Sequence, residues 1–303
     1  DVESFDAGRA GTLYLNKYSG TYYVERSDLS LNGNVMPVEA GTIYNPWGSA
    51  VDTGLYTGAY WINSHFMKMF PCGTVTYDNA QRNAFKLADV GGERTYFYEV
   101  VASDSEYGVI PENFTSSFAE DYVYYKSVIG DSDKCLWVKK DDTGHTNYAE
   151  MKIETSDYIY SLDGAQRVCA ISSKKGEGTA NISFKGPSSS TISAITDGMG
   201  RKYDWQTGYD ANGKPLADKL VVKSSDGALI SVNTKNGAVN VGVDYDYTLT
   251  ASGARQLTKI TYPDGEEVRY EYNSDNLLKK LINVDGSYIK INYRKGRVGS
   301  IGK

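Results

Sequence analysis

The sequence predicts an all-β protein, an antiparallel meander of hairpin repeats forming a large curled sheet or a partial shell or barrel. Three observations carry this expectation. The 303 residues hold 26 Tyr against 8 Phe and 4 Trp, an excess of a ring that packs on one side and hydrogen-bonds to water on the other, as a half-exposed sheet requires. Glycine is frequent at 31 and proline scarce at 7, so turns rest on Gly, Asp and Asn, which tolerate positive φ. The tail of the chain also repeats itself at short period.

Residues 260–281 read ITYPDGEEVRYEYNSDNLLKKL and 282–301 read INVDGSYIKINYRKGRVGSI. Asp264-Gly265 recurs as Asp285-Gly286, and Tyr272 recurs as Tyr293, both after 21 positions. Leu281 to Ile301 is 20, one residue being lost where Asn273-Ser274-Asp275-Asn276 becomes Arg294-Lys295-Gly296. Val268, Tyr270 and Tyr272 alternate with Arg269 and Glu271, as Ile289, Ile291 and Tyr293 do with Lys290 and Asn292. Alternation at period two is the signature of a half-buried strand. The preceding Asp-Gly reads as a tight primed hairpin turn, because Gly accepts the positive φ such a turn demands. Each unit is thus strand, Asp-Gly turn, strand, polar turn. Two strands at about 4.8 Å widen a sheet by roughly 10 Å per repeat, so stacked repeats grow sideways. Looser copies include Asp163-Gly164, Asp197-Gly198, Tyr209-Asp210-Ala211-Asn212-Gly213 and Asp226-Gly227.

Elsewhere Tyr14–Asn16 and Thr21–Arg26 flank Tyr18-Ser19-Gly20 as a hairpin, and Tyr96–Ala102, Asp121–Ile129 and Leu136–Lys140 read as strands. Residues 79–89 place Ala80, Ala84, Leu87 and Ala88 near helical spacing, enough for one brief helix. The organisation expected is a β-rich lead-in over 1–171, a flexible Gly/Ser-rich loop over 172–193, and hairpin repeats over 194–303, in a sheet that is either continuous with the lead-in or separate from it.

Composition narrows the function classes. The formal net charge is −6 and Lys/Arg blocks are lacking, which argues against an electrostatic nucleic-acid binder. No segment approaches the roughly 18 apolar residues that a membrane helix needs. Cys72, Cys135 and Cys169 are odd in number and lack CxxC spacing, so at least one is unpaired within the chain and buried free thiols are the expectation. His65 and His145 stand in no catalytic frame: His145 reads as a turn residue and His65 as a packed side chain. Glu99, Glu106, Glu112, Glu120 and Asp121 are close enough in sequence to be imagined as a glycosidase carboxylate pair, but nothing selects two of them. The acidic turns Asp131-Ser132-Asp133 and Asp141-Asp142 lack the alternating loop of a calcium site. No cofactor or metal is expected. Trp47, Tyr56, Tyr60, Trp61 and Phe66 cluster in sequence; Trp47, Tyr60 and Trp61 are the candidate platform for stacking on sugar rings, with a core role as the alternative.

Residues 260–303 resemble the YD repeats of bacterial Rhs (rearrangement hotspot) proteins, found also in teneurins, through Tyr272-Asn273, Tyr209-Asp210-Ala211-Asn212-Gly213 and Gly296-Arg297-Val298. The opening, with Tyr18-Ser19-Gly20 before Leu29-Ser30-Leu31-Asn32-Gly33-Asn34 and Pro37, and the stretch Gly91-Gly92-Glu93-Arg94-Thr95-Tyr96-Phe97 are similar to that family's lead-in and turns. Residues 100–150 match nothing in it, and Tyr293 is followed by Arg. The resemblance implies a secreted or cell-surface bacterial protein in which such sheets close into a shell around a C-terminal toxin-like cargo. The repeat signature is then Asp264, Gly265, Tyr270, Tyr272, Asp285, Gly286 and Tyr293, all structural. The chain stops at Gly299-Ser300-Ile301-Gly302-Lys303, within the second strand of a repeat, and reads as an early portion of a larger protein without enzymatic roles. Its expected partner is the rest of that chain, with no nucleic acid and no membrane insertion. Two other readings stay open, a cell-surface carbohydrate-binding β module and a secreted glycoside hydrolase.

Overall fold

A computed structural model describes residues 2–33, 35–47, 57–90, 94–130, 133–143 and 146–303. These residues form twenty-five strands, numbered β1 to β25 in chain order, and two short 3-10 turns, Gly8–Ala10 and Ser116–Glu120. Every strand pairing is antiparallel, as hairpin connections require. The chain divides into two compact units: residues 1–33, 37–65 and 183–303 make the first, and 34–36 with 66–182 the second.

The first unit opens with a five-stranded sheet, β1 (Val2–Asp6), β2 (Thr12–Asn16), β3 (Tyr22–Ser30), β4 (Glu39–Tyr44) and β5 (Trp61–Asn63), in chain order. β3 alternates strictly, with Tyr22, Val24, Arg26 and Asp28 on the buried face and Glu25, Ser27 outside. The period-two rule thereby carries two charges into the interior.

The second unit is a meander of β6 (Met67–Tyr77), β7 (Ala80–Asp89), β8 (Arg94–Glu99), β9 (Tyr122–Ile129), β10 (Cys135–Lys140), β11 (Thr146–Glu154), β12 (Tyr158–Leu162), β13 (Val168–Ser173) and β14 (Thr179–Phe184). It curls until β6 meets the β12–β13 turn, where Lys68 bridges Arg167 and the Met69 N–H donates to the Gln166 carbonyl at 2.8 Å. β10 is buried on both faces over Cys135, Leu136, Trp137 and Val138, because the strap 101–121 covers the Cys135/Trp137 side with Ile110, Phe114 and Phe118. The brief helix expected at 79–89 is instead β7: Asp78 and Asn79, at φ +49° and +60°, make a two-residue primed turn that sends the chain back along β6. The loop expected over 172–193 contains all of β14 and the start of the next strand. There Ala180 and Ile182 point inward between exposed Asn181 and Ser183, so sheet pairing overrides a polar, Gly/Ser-rich composition.

The chain then returns to the first unit as β15 (Ile192–Thr196), β16 (Lys202–Tyr209), β17 (Pro215–Lys223), β20 (Gly242–Leu249), β21 (Arg255–Thr261), β22 (Glu267–Tyr272), β23 (Leu278–Ile282), β24 (Tyr288–Arg294) and β25 (Arg297–Gly302). β18 (Ser231–Thr234) and β19 (Gly237–Asn240) form a separate hairpin. Residues 255–302 are successive rungs of one ladder, each strand hydrogen-bonded to the next.

The turns of this ladder differ from the expected two-residue primed form. In Tyr262–Glu266, Asn273–Leu277 and Asn283–Ser287 the first N–H donates to the fifth carbonyl and the fourth N–H to the first carbonyl. Only the fourth residue takes positive φ, Gly265 at +84°, Asn276 at +61° and Gly286 at +82°. That is the three-residue loop with a left-handed glycine, the next commonest hairpin connection. Asp163–Arg167, Asp197–Arg201, Asp210–Lys214, Ser224–Ala228 and Thr250–Ala254 share the pattern. The Asp-Gly dipeptide is therefore not a fixed landmark. It fills positions three and four at 226, 264 and 285 but positions one and two at 163 and 197, where the first Asp carboxylate instead accepts the third and fifth N–H groups. The residue missing from the last repeat is explained as well: Lys295 and Gly296, at φ +51° and +74°, close β24 onto β25 by a two-residue turn.

Candidate functional site

The feature with the densest side-chain organisation lies in the first unit, where the five-stranded sheet sits on the apolar face of the β20–β25 ladder. It begins with the repeat tyrosines. A register slip of one residue precedes Tyr247, Tyr272 and Tyr293 at matching points of β20, β22 and β24. Beyond the bulge each hydroxyl reaches back to a carbonyl of the strand before it: Tyr247 to Ala217 at 2.7 Å, Tyr272 to Leu257 at 2.7 Å, Tyr293 to Leu278 at 2.5 Å. A bulge re-aims the side chains beside it, and each accepting carbonyl belongs to the residue next to the one skipped in the preceding pair of strands, Ala217 beside Asp218, Leu257 beside Thr258 and Leu278 beside Lys279. Tyr272 and Tyr293 belong to the expected signature, whereas Tyr247 was missed. The signal was present in Val243-Asp244-Tyr245-Asp246-Tyr247, but the hairpin that follows is longer and shifts the spacing from 21 to 25.

The residue two before the bulge faces the N-terminal sheet. Tyr270 donates to the Ala10 carbonyl at 2.9 Å and Tyr245 to Asp28 Oδ2 at 2.6 Å. Asp28 in turn holds Arg26, whose Nε lies at 2.5 Å from Oδ1, both side chains being 1% exposed or less. The Arg26 guanidinium lies 4.4 Å from the Trp61 ring centroid and 5.6 Å from that of Tyr270. Burial alone would lower the Arg26 pKa, but Asp28 raises it well above the ordinary value. Burial, then the Asp28 charge, push Tyr245 well up, and burial pushes Tyr270 up to about 12. These phenols are donors at neutral pH, not nucleophiles.

The rest of the contact is aromatic. Tyr44 accepts from the Leu278 N–H at 3.0 Å, Tyr22 shares a 2.5 Å hydrogen bond with Tyr293, and the Trp61 Nε1–H donates to Tyr272 at 2.9 Å. At the rim Arg9 pairs with Asp264 at 3.0 Å and Glu266 at 2.8 Å, while its N–H donates to Asn283 Oδ1. Asp264 thus meets the N-terminal sheet, whereas Asp285 caps its own turn by accepting from the Ser287 N–H and hydroxyl. Gly265 and Gly286 supply the left-handed turn positions.

The sugar platform is not assembled. Trp61 is 0% exposed, enclosed by Arg26, Tyr44 and Tyr270, so neither face is open to a ligand. Trp47 is half-buried beneath the Arg297 guanidinium, 4.4 Å away, and Tyr60 is 40% exposed with its ring edge-on to Tyr44. The core role is what Trp61 has, in a strand buried along its whole length. Phe66 is also core, and Tyr56 lies outside the described residues.

The remaining expectations fall elsewhere. Glu99 accepts from Asn83 Nδ2 at 2.7 Å, Glu106 pairs with Lys126 at 2.8 Å, Asp121 lies 3.6 Å from Lys139, and Glu112 and Glu120 are exposed. His65 places Nε2 at 2.8 Å from the Glu39 carbonyl, and burial lowers its pKa. His145, Gly91-Gly92-Glu93 and Asp131-Ser132 lie outside the described residues. All three cysteines are free; Cys135 is buried and Cys169 half-buried, but Cys72 is exposed, being the residue skipped at the register slip of β6 on β7, in a stretch exposed on both faces.

No protein-family model matches this chain, and no curated protein does. Among solved structures, one titled "Crystal Structure of TcdB2-TccC3" is similar at a TM-score of 0.49 and 11% identity, over 97% of this chain and 17% of that chain. The chain thus spans about a sixth of the length of that neighbour. A likeness at this level leaves the functional reading to the geometry above.

Proposed function

We propose that this chain is a non-enzymatic structural segment of a larger secreted or cell-surface protein, a hairpin-repeat scaffold that helps to enclose or present a variable region elsewhere in that protein. The single observation that carries the reading is the recurrence of the braced tyrosine. Tyr247, Tyr272 and Tyr293 repeat one hydrogen bond on successive hairpins, as a unit built to be stacked would. What further supports it is a set of buried polar side chains that fasten one sheet of the first unit to the other: Tyr245 bonds Asp28, which pairs with Arg26, Tyr270 bonds the Ala10 carbonyl, and Trp61 bonds Tyr272.

The test is limited proteolysis of the longer protein. A scaffold that encloses its own chain leaves the variable region resistant to a protease that digests the same region expressed separately. Equal digestion rates in the two contexts remove the enclosing role.

A further inference from the structure

The solvent face of the ladder changes character along its length. Over the earlier rungs every cation has a carboxylate: Lys219 meets Asp244 at 3.1 Å, Lys259 meets Asp246 at 3.0 Å, and Glu267 bridges Lys259 at 3.0 Å and Arg269 at 2.8 Å. Lys259 and Arg269 stand opposite each other in register, and Glu267 offsets the repulsion. On the last rungs the balance tips toward the cations: Lys280 has Glu271 opposite it on one side, with no closed ion pair, and a lysine on the other. Lys280 is opposite Lys290, and Arg294 is opposite Arg297, two like-charge cross-strand pairs in adjacent hairpins, although the Arg297 guanidinium is already drawn over the Trp47 ring. Like charges directly opposite destabilise a sheet. Among the described residues no carboxylate forms an ion pair with Lys279, Lys280, Lys290, Arg294, Lys295 or Arg297. Residues 278–303 hold seven basic side chains and one acidic, Asp285, in a chain of net charge −6.

We propose that this face of β23–β25 docks on an anionic lipid bilayer surface. A strand of seven residues runs roughly 20 Å and three strands span roughly 10 Å, so the charges lie in a plane instead of along a groove. The cations on the face are mainly lysines, hydrated point charges on flexible stems that suit diffuse attraction to many headgroups and not bidentate capture of one. Tyr288, 41% exposed, lies on the same face with the Lys280 ammonium 3.8 Å from its ring centroid. An aromatic ring with a polar tip beside lysines is the side-chain pairing favoured at headgroup depth. Basic residues near an anionic leaflet each add about fivefold to partitioning, and salt screens the effect.

Vesicle co-sedimentation tests it, using the full chain with phosphatidylcholine vesicles containing or lacking one third phosphatidylserine. The expected result is pelleting with the anionic vesicles only, released by salt. Lys290→Glu and Lys295→Glu should each reduce binding by about tenfold or more. Lys290→Glu places an opposite charge across from Lys280, so its melting temperature should equal or exceed that of the parent, which separates lost docking from lost folding. Absent pelleting, equal pelleting with neutral vesicles, or full binding by the folded variants overturns the proposal. So does low-salt self-association without vesicles that the same variants abolish, because the partner would then be a second copy.

Discussion

Tyr245 donates its hydroxyl hydrogen to Asp28 at 2.6 Å, joining a repeat strand to a residue 217 positions earlier in the chain. The same carboxylate holds Arg26, so three polar groups in the core of the first unit depend on one side chain. Tyr245→Phe deletes one hydrogen bond to a charged acceptor and is expected to cost about 1.5–3 kcal/mol. Asp28→Ala strands the Arg26 charge and should cost about 3–5 kcal/mol. Urea unfolding checks the order; an Asp28→Ala variant no less stable than Tyr245→Phe contradicts it.

Alkali should unfold the protein late and cooperatively. Tyr22, Tyr44 and Tyr245 are held well above the ordinary phenol value by burial, and Tyr270 is raised to about 12. Raised folded-state values mean that the unfolded chain releases protons first, near pH 10. The stability these phenols contribute is therefore complete below pH 10 and lost as pH rises from there toward 12. Absorbance at 295 nm should show the buried tyrosines ionising together with loss of sheet circular dichroism. A single transition near 10, with sheet intact, would be the contrary outcome.

On the acid side the second unit responds through Arg82 and Asp104. The Arg82 guanidinium and the Val101 N–H hold the Asp104 carboxyl down to about 2. A lowered carboxyl gives stability that is present above the unfolded value near 4 and is lost as pH falls from there toward 2. Asp104→Asn should flatten the acid limb of the stability curve between pH 4 and 2 while lowering stability at neutrality. An unchanged slope would show that the pair contributes nothing.

Glu154 ties down the strap. Its buried carboxylate accepts from the Thr115 N–H at 2.9 Å and the Trp137 Nε1–H at 2.8 Å and pairs with Lys174 at 2.7 Å. Glu154→Ala is expected to cost about 3–5 kcal/mol, since it leaves the indole without its acceptor and Lys174 without its counter-charge, with only the Asn113 and Thr155 carbonyls still accepting from it. Proteolysis within 101–121 should accelerate before the sheet itself unfolds, as mass spectrometry of early fragments would reveal.

Turn chemistry gives two changes of opposite sign. Gly286 sits at φ +82° with open space where a Cβ would be, so Gly286→Ala carries only backbone strain, about 1–2 kcal/mol. Gln166 occupies the equivalent position at φ +63°, and Gln166→Gly should stabilise or be neutral. Paired thermal melts decide this; two changes of the same sign would mean that the turns are not equivalent.

By itself the sequence determined the all-β class, the lateral ladder over 260–301 and the inward direction of Tyr270, Tyr272, Ile289 and Ile291, because period-two alternation and glycine at left-handed turn positions are local rules that burial on one face enforces. It could not place turns by their Asp-Gly pairs, since Asp serves equally as the first or third residue of the same loop, nor align Tyr245 and Tyr247 across a longer hairpin. Tertiary structure alone decided that Trp61 is enclosed instead of presented, that Arg26 and Asp28 neutralise each other beneath a tyrosine hydroxyl, and that Lys280 faces Lys290. Each of these depends on which strand lies opposite which. Register is a property of two segments at once, and a single stretch of chain does not contain it.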